Sequence, residues 1–383
     1  MWYNSGKLYR LQISEGRLRL LTRKLWFQVG IGILLSLLII KYIVEVNWLF
    51  QPIFIIIKTI FIPLLIGGVL FYITVPIQTF LEKYRVPRWG SIVIIFFLLI
   101  TGIWIGLSIV GPPIIDQVTN LFKNIPALAT EAEILVLQLM EHLGDLPDWA
   151  KEEINKAIES VKSFSLEFGK IAVQFSQSII SGTFQGVVVA ILSPFFLFFM
   201  LKDHEKFVPA VTRIFTGERK KWIEKTLRDI DEVLRLYIQG QLLISFILAC
   251  MLYVGYLVMG LNFSLLLAVF AFFMNVIPFI GPWIAFIPAL IIGVIQDPVM
   301  VIWVSLITLI ANQIDANLIT PNIMGKTLNI HPLTIITILL AAGKIAGFFG
   351  ILLAVPGYAV GKVIVENIYE KRQEIKRSAN KVV

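Results

Sequence analysis

Eight runs of mainly apolar residues organise this chain, beginning near Trp26, Pro52, Gly90, Phe184, Tyr237, Asn262, Pro298 and His331. A helix needs roughly 20 such residues to cross a hydrocarbon core. Inside lipid, a helix or a closed barrel must satisfy every backbone polar group. The runs are too long for barrel strands, so the sequence predicts an all-α polytopic membrane protein with about eight hydrophobic segments. Composition agrees. Of 383 residues, 57% are hydrophobic and only 15% are charged, with a mean hydropathy of +0.84. Soluble domains carry roughly 25% charged residues, so this chain has more apolar surface than one aqueous core could hide.

The charges sort by membrane side. Lys7, Arg10, Arg17, Arg19, Arg23 and Lys24 precede the first run, and Lys83, Arg85 and Arg88 separate the second from the third. Residues 202–236 hold nine basic residues and the tail from Lys362 another six, so these regions account for 24 of the 33. Cytoplasmic loops concentrate Lys and Arg, which predicts a bacterial cytoplasmic membrane protein with both termini inside. The same sorting accounts for the +8 net charge without a nucleic-acid partner. The first run lacks a small-residue cleavage pattern and reads as an uncleaved span. Residues 112–180 carry ten acidic against five basic residues and read as an extracytoplasmic helical lobe. The 202–236 stretch has apolar residues at helical spacing and reads as cytoplasmic amphipathic helices. Four regions follow: 1–111 with three spans, the lobe over 112–181, a span with the amphipathic helices over 182–236, and a transport core over 237–383.

Segments six and eight do not read as plain spans. Pro278, Gly281, Pro282 and Pro288 break the sixth, and the eighth is interrupted between Lys344 and Gly350, with Pro356 beyond. Proline removes a backbone donor and clashes with the preceding turn. FIGPWIAFIP and FFGILLAVP share a Phe-x-Gly start, an alanine and a closing proline, an internal echo of one repeated element. Broken segments in corresponding positions point to a transporter binding site. Two architectures stay open: re-entrant helical hairpins, or kinked full spans. Hairpins place Lys326 inside and kinked spans place it outside. The small residues Gly343, Gly347, Gly350, Ala354, Gly357 and Gly361 would line one face of a continuous eighth helix, which favours close packing or a homo-oligomer and weighs against a hairpin.

Segment seven ends in ANQIDANLITPNIMG. Asn312, Gln313, Asp315 and Asn317 there form an oxygen-rich set at the boundary between the two broken elements. A carboxylate at membrane depth usually faces a cavity, a counter-charge or a cargo cation. If Asp315 lies instead at the interface, it is an ordinary helix-terminal carboxylate. Lys344 is the only charge inside segment eight and could meet an anionic solute, pair with Asp315 or snorkel. Gly281, Pro282, Gly347, Gly350 and Pro356 shape the broken backbone. His331 reads as a helix cap or a proton-linked switch. His142 and His204 read as surface residues. Cys250 is the single cysteine, which excludes internal disulfides and thiolate zinc cages. No HExxH, GxSxG or phosphate-binding glycine loop occurs, so neither an enzyme nor a cofactor or metal is expected.

Four stretches, in order and spacing, resemble the autoinducer-2 exporter family: YIQGQ at 237–241, IPFIGPWIAFIP at 277–288, TPNIMGKTLNIHP at 320–332 and GFFGILLAVP at 347–356. The resemblance implies a transporter of the cytoplasmic membrane whose partners are lipid and a small cargo. Some members are associated with export of the signalling solute, others with exchange of sodium or lithium for protons. Gln239 departs from the family pattern, where many members carry a basic residue. The sequence thus leaves open a secondary transporter that exports a small polar signalling solute, one that exchanges a monovalent cation for protons, and a non-transporting membrane scaffold that acts through the lobe.

Overall fold

A computed structural model describes residues 25–121, 156, 184–325 and 330–380. The lobe beyond Leu121, the amino-terminal basic residues, His142 and Lys326 fall outside this set, apart from Lys156. Every described element is helical: α1 (Leu25–Glu45), α2 (Asn47–Lys83), α3 (Arg88–Ile109), α4 (Phe184–Thr212), α5 (Gly217–Val258), α6 (Ser264–Asn275), α7 (Gly281–Gln296), α8 (Met300–Ile314), α9 (Thr320–Met324) and α10 (Pro332–Asn380). A π-helical turn, Asp315–Ile319, joins α8 to α9, and residues 111–121 are also helical.

Six helices are long and apolar enough to cross a membrane: Gln51–Lys83, Arg88–Ile109, Gly186–Thr212, Gly217–Val258, Met300–Met324 and Pro332–Glu374. That figure rests on length and composition among the described residues, whereas the figure of about eight counts hydrophobic segments; the last of the six, Pro332–Glu374, is itself interrupted at Ala346 and Gly347. The first segment is the 21-residue apolar helix α1, and the sixth divides into two short helices. The division between two compact units falls within α2, after Leu64. In the first unit, α1 and the opening of α2 expose large apolar side chains such as Ile33, Leu37, Trp48 and Ile56, as a lipid-facing helix should.

In the second unit, the 202–236 region does not form separate amphipathic helices. Its first residues finish α4 and its last twenty open α5, which runs unbroken for 42 residues, roughly 63 Å. The expected boundary at 236/237 cuts this helix. No proline interrupts residues 217–258, so the charged turns and the apolar turns propagate as one rod. Around α5 the core gathers in clusters. One joins Leu248, Leu252 and Tyr256 to Leu267, Ala271, Ala285 and Ala289, with Val304 and Leu121. A second joins Tyr237 and Ile244 to Ile277, Met324, Leu339 and Val355. A third, of Phe71, Ile92, Ile95, Leu197 and Leu201, binds α2, α3 and α4.

Both broken segments fold back on themselves. In the sixth, α6 and α7 have 12 and 16 residues, roughly 18 and 24 Å, each short of a hydrocarbon core of about 30 Å. The turn between them contains Pro278 and the left-handed residue Phe279 (φ 65°). A Cβ on Gly281 would meet the Met274 carbonyl oxygen at 2.1 Å, so only glycine admits this approach. At the base, Gln296 Nε2 donates to the Gly260 carbonyl (2.8 Å), and its Oε1 accepts from the Asn262 N–H (2.7 Å). The start of α6 and the end of α7 thus lie side by side, as a closed antiparallel hairpin requires.

Segment eight repeats the device. Helical geometry fails at Ala346 and Gly347, where Gly347 takes φ 59°. A Cβ on Gly350 would meet the Ala342 carbonyl oxygen at 2.0 Å, and Gly343 lies against Ile351. Residues eight apart in a continuous helix are about 12 Å apart along its axis, so the chain has reversed. This corrects the small-residue stripe. Gly343 and Gly350 serve the fold-back, Gly347 makes the turn, and Gly357 and Gly361 have open space where a Cβ would be. The echo between FIGPW and FFGIL is structural: Gly281 and Gly350 play the same part.

Candidate functional site

Where the first hairpin's tip reaches α5, polar side chains enter an apolar interior. Tyr237, Gln241 and Ser245 are spaced four apart and so share one face of the helix. They are 5%, 7% and 0% exposed. Gly240, on the next face, lies close to Ile323 and Met324, so the missing side chain of YIQGQ lets α9 settle against α5. Gln241 Nε2 donates to the Asn275 backbone carbonyl at 2.6 Å. Asn275 ends α6, and the nearby proline and turn leave its carbonyl available for a side-chain donor.

The Asn275 side chain is 3% exposed, and neither its Oδ1 nor its Nδ2 has a hydrogen-bond partner among the described residues. Ser245 Oγ and the Tyr237 hydroxyl share that condition. A buried polar group left unpaired costs roughly 1–3 kcal/mol, and native structures carry few of them. Two hydroxyls on one face of α5 and a primary amide at the end of α6 therefore carry unused donors and acceptors on either side of the Gln241–Asn275 contact. Further along α5, Tyr256 shows the satisfied counterpart, with its hydroxyl 3.1 Å from Thr308 Oγ1.

Sequence reasoning missed Tyr237, Gln241, Ser245 and Asn275 as a group. The available signal was their four-residue spacing within an otherwise apolar run, and the asparagine immediately before the broken stretch VIPFIGP. The residues it did single out are dispersed. Asn312 and Asp315 are half-buried, while Gln313, Asn317 and Lys344 are exposed. Asn317 Nδ2 donates back to the Gln313 carbonyl (2.8 Å) and to its Oε1 (3.1 Å), a local pair one turn apart. Asp315 opens the π-helical turn and accepts from Thr320 Oγ1 at 2.8 Å. Lys344 stands in the last turn before the second tip, and no ion pair joins it to Asp315 among the described residues. Pro278 lies in the first turn, Pro282 near the start of α7, and Pro288 and Pro356 are buried in the outgoing arms.

Polar contacts elsewhere brace the hairpins. Asn367 Nδ2 donates to Asp229 (3.0 Å), Trp222 Nε1 donates to the Asn367 carbonyl (3.1 Å), and Lys225 pairs with Glu370 at 2.7 Å. These contacts tie the charged end of α10 to the charged start of α5. Arg88 donates to the Leu201 carbonyl, to Glu205 (2.8 Å) and to His204 Nδ1 (2.9 Å). His204, expected at the surface, is thus a bonded member of this cluster. Gln239 donates to the Tyr72 carbonyl, and the Tyr72 hydroxyl donates to Asp231. The neutral side chain at 239 is therefore a backbone clasp.

The helices, six of them long and apolar enough to span a bilayer among the described residues, define the class of multi-pass helical membrane proteins. The chain belongs to the AI-2E family of transporters, whose family model matches residues 32–370. It is 36% identical over 341 residues to "Putative transport protein YueF" of Bacillus subtilis, covering 88% of this chain and 91% of that one. It is 33% identical to "Putative transport protein YrrI" of the same organism, covering 91% and 97%. With "Putative permease PerM" of Escherichia coli it shares 28% identity over 282 residues, 73% of this chain and 78% of that one.

Proposed function

We propose that the chain is a secondary transporter of the bacterial cytoplasmic membrane, with both termini cytoplasmic, in which a small polar solute passes between two re-entrant hairpin tips. The observation that carries this reading is the buried set of Asn275, Ser245 and Tyr237, whose side-chain polar atoms lack partners among the described residues where a broken helix meets α5. Irregular backbone at membrane depth is tolerated where protein buries it or where it lines a cavity, and short broken helices mark the binding region of many transporters. The base of the first hairpin adjoins the end of α5 at 258, whereas the long arm of the second runs back to the start of α5. The two hairpins thus enter from opposite faces.

Of the cargoes that the sequence leaves open, export of a small polar solute fits these side chains better than exchange of a monovalent cation for protons. The buried group supplies neutral hydroxyls and an amide, and the nearby carboxylate of Asp315 is engaged by Thr320. Full-length protein in liposomes, loaded in turn with small hydroxylated and carboxylated solutes and with sodium, lithium or potassium, tests this. The expected result is solute efflux that falls roughly tenfold in Asn275→Ala, the equivalent of about 1.4 kcal/mol for one lost hydrogen bond. Cation-driven proton movement that vanishes in Asp315→Asn but survives Asn275→Ala would overturn it.

A further inference from the structure

Between Tyr237 and Gly361 the sequence holds only two acidic residues, Asp297 and Asp315. Both are engaged. Asp297 Oδ1 accepts from the Val299 N–H at 2.9 Å, and Asp315 Oδ1 accepts from Thr320. Lys344 has no hydrogen bond or ion pair with any described residue and is exposed at the second hairpin's tip. No charged side chain occurs in residues 332–343 or 345–361. The two arms therefore place about 18 and 21 Å of apolar helix between the turn at Lys344 and the polar residues at the hairpin's base. In a hydrocarbon core of about 30 Å, this ammonium lies well inside, and one lysine stem does not bridge the remaining distance to water.

The second hairpin and the polar set also pack around the same helix, α5. Ile277 and Ile280, just past Asn275, share one apolar cluster with Ile351, and Ile351 packs on Gly343, the neighbour of Lys344. The region thus combines an uncompensated positive charge with an unpartnered amide and two unpartnered hydroxyls, all able to donate, and no free carboxylate. A cation passing there meets like charge, whereas an oxyanion meets one charge-assisted donor and several neutral ones. Resting on the transporter reading above, we propose that Lys344 makes the passage selective for small oxyanionic solutes, such as organic acids.

Cysteine reactivity tests this without knowledge of the cargo. In the full-length chain, with Cys250→Ala, a thiol introduced by Ala346→Cys is exposed in membrane vesicles to two methanethiosulfonates of matched size. One is the anionic ethylsulfonate and the other the cationic ethyltrimethylammonium, each normalised to its rate with a small free thiol. A unit charge about 7 Å away, even at the dielectric constant of water, biases the ratio roughly sevenfold toward the anion. That bias should vanish in Lys344→Gln and persist in Lys344→Arg; Ile345→Cys repeats the test if the first variant does not insert. Reaction without anionic preference, or with the same preference in Lys344→Gln, overturns the oxyanion assignment and leaves the passage standing. No reaction with either reagent at either position, in protein that inserts normally, overturns the passage itself and the assignment with it.

Discussion

The fold-back of segment eight makes its glycines energetically unequal, and alanine substitution measures the inequality. At Gly350 an added Cβ would lie 2.0 Å from the Ala342 carbonyl oxygen, and at Gly281 2.1 Å from that of Met274. Both obstacles are backbone atoms, so relief requires each hairpin to open by about 1 Å. Overpacking of this kind costs about 1–3 kcal/mol, and alanine's better helix propensity recovers only about 0.5–1 kcal/mol. Gly357 and Gly361 lie on the same arm as Gly350 with open space around them, so alanine there should be neutral or stabilising by that smaller amount. The assay is the thermal midpoint of purified protein in detergent at a fixed scan rate. The expected order places Gly281→Ala and Gly350→Ala below wild type, and Gly357→Ala and Gly361→Ala at or above it. A continuous kinked helix predicts similar behaviour for Gly350, Gly357 and Gly361, and equal midpoints for the three would refute the fold-back.

Other expectations follow from single contacts. Gly347→Ala places a side chain at φ 59°, ψ −139° and should lower the midpoint by the equivalent of about 1–3 kcal/mol. Asn367→Ala removes the bond to Asp229 from a buried site and should destabilise by about 1–3 kcal/mol in the same assay, whereas Lys225→Gln, at an exposed ion pair, should cost no more than about 1 kcal/mol. Tyr256→Phe leaves Thr308 unpaired in the core and should cost about 1–2 kcal/mol. In flux assays, Asp315→Asn keeps an acceptor for Thr320 and should retain most transport, while Ser245→Ala should slow it.

Much of this architecture was legible because membrane physics writes large signals. Run lengths and prolines placed the starts of α1, α3, α4, α6, α8 and α10 near their observed positions but missed that of α5 at Gly217, and the paired Phe-x-Gly motifs marked both breaks while leaving hairpin and kinked span open. The continuity of α4 and α5 through the charged region was less visible, since a change from polar to apolar composition looks like a boundary even when the helix continues. The small-residue stripe misled for a related reason: its spacing is that of one helical face only if Ala346 and Gly347 are helical, and their dihedral angles are set by the close approach of Gly350 to Ala342. The polar site was the least legible. Charged residues such as Asp315 and Lys344 stand out in an apolar run, whereas Tyr237, Ser245 and Asn275 become conspicuous only once burial has removed their partners.

Sidedness tests the central claim, that two short hairpins enter the membrane from opposite faces, most directly. Single cysteines replacing Asn262, Asp297 and His331 in a Cys250→Ala background are to be labelled with a membrane-impermeant maleimide in intact cells and in everted vesicles. The account predicts that Asn262→Cys and Asp297→Cys label together from outside and His331→Cys from the cytoplasmic side. Labelling of Asn262→Cys and Asp297→Cys from opposite sides would show that segment six crosses the membrane, and would contradict the account.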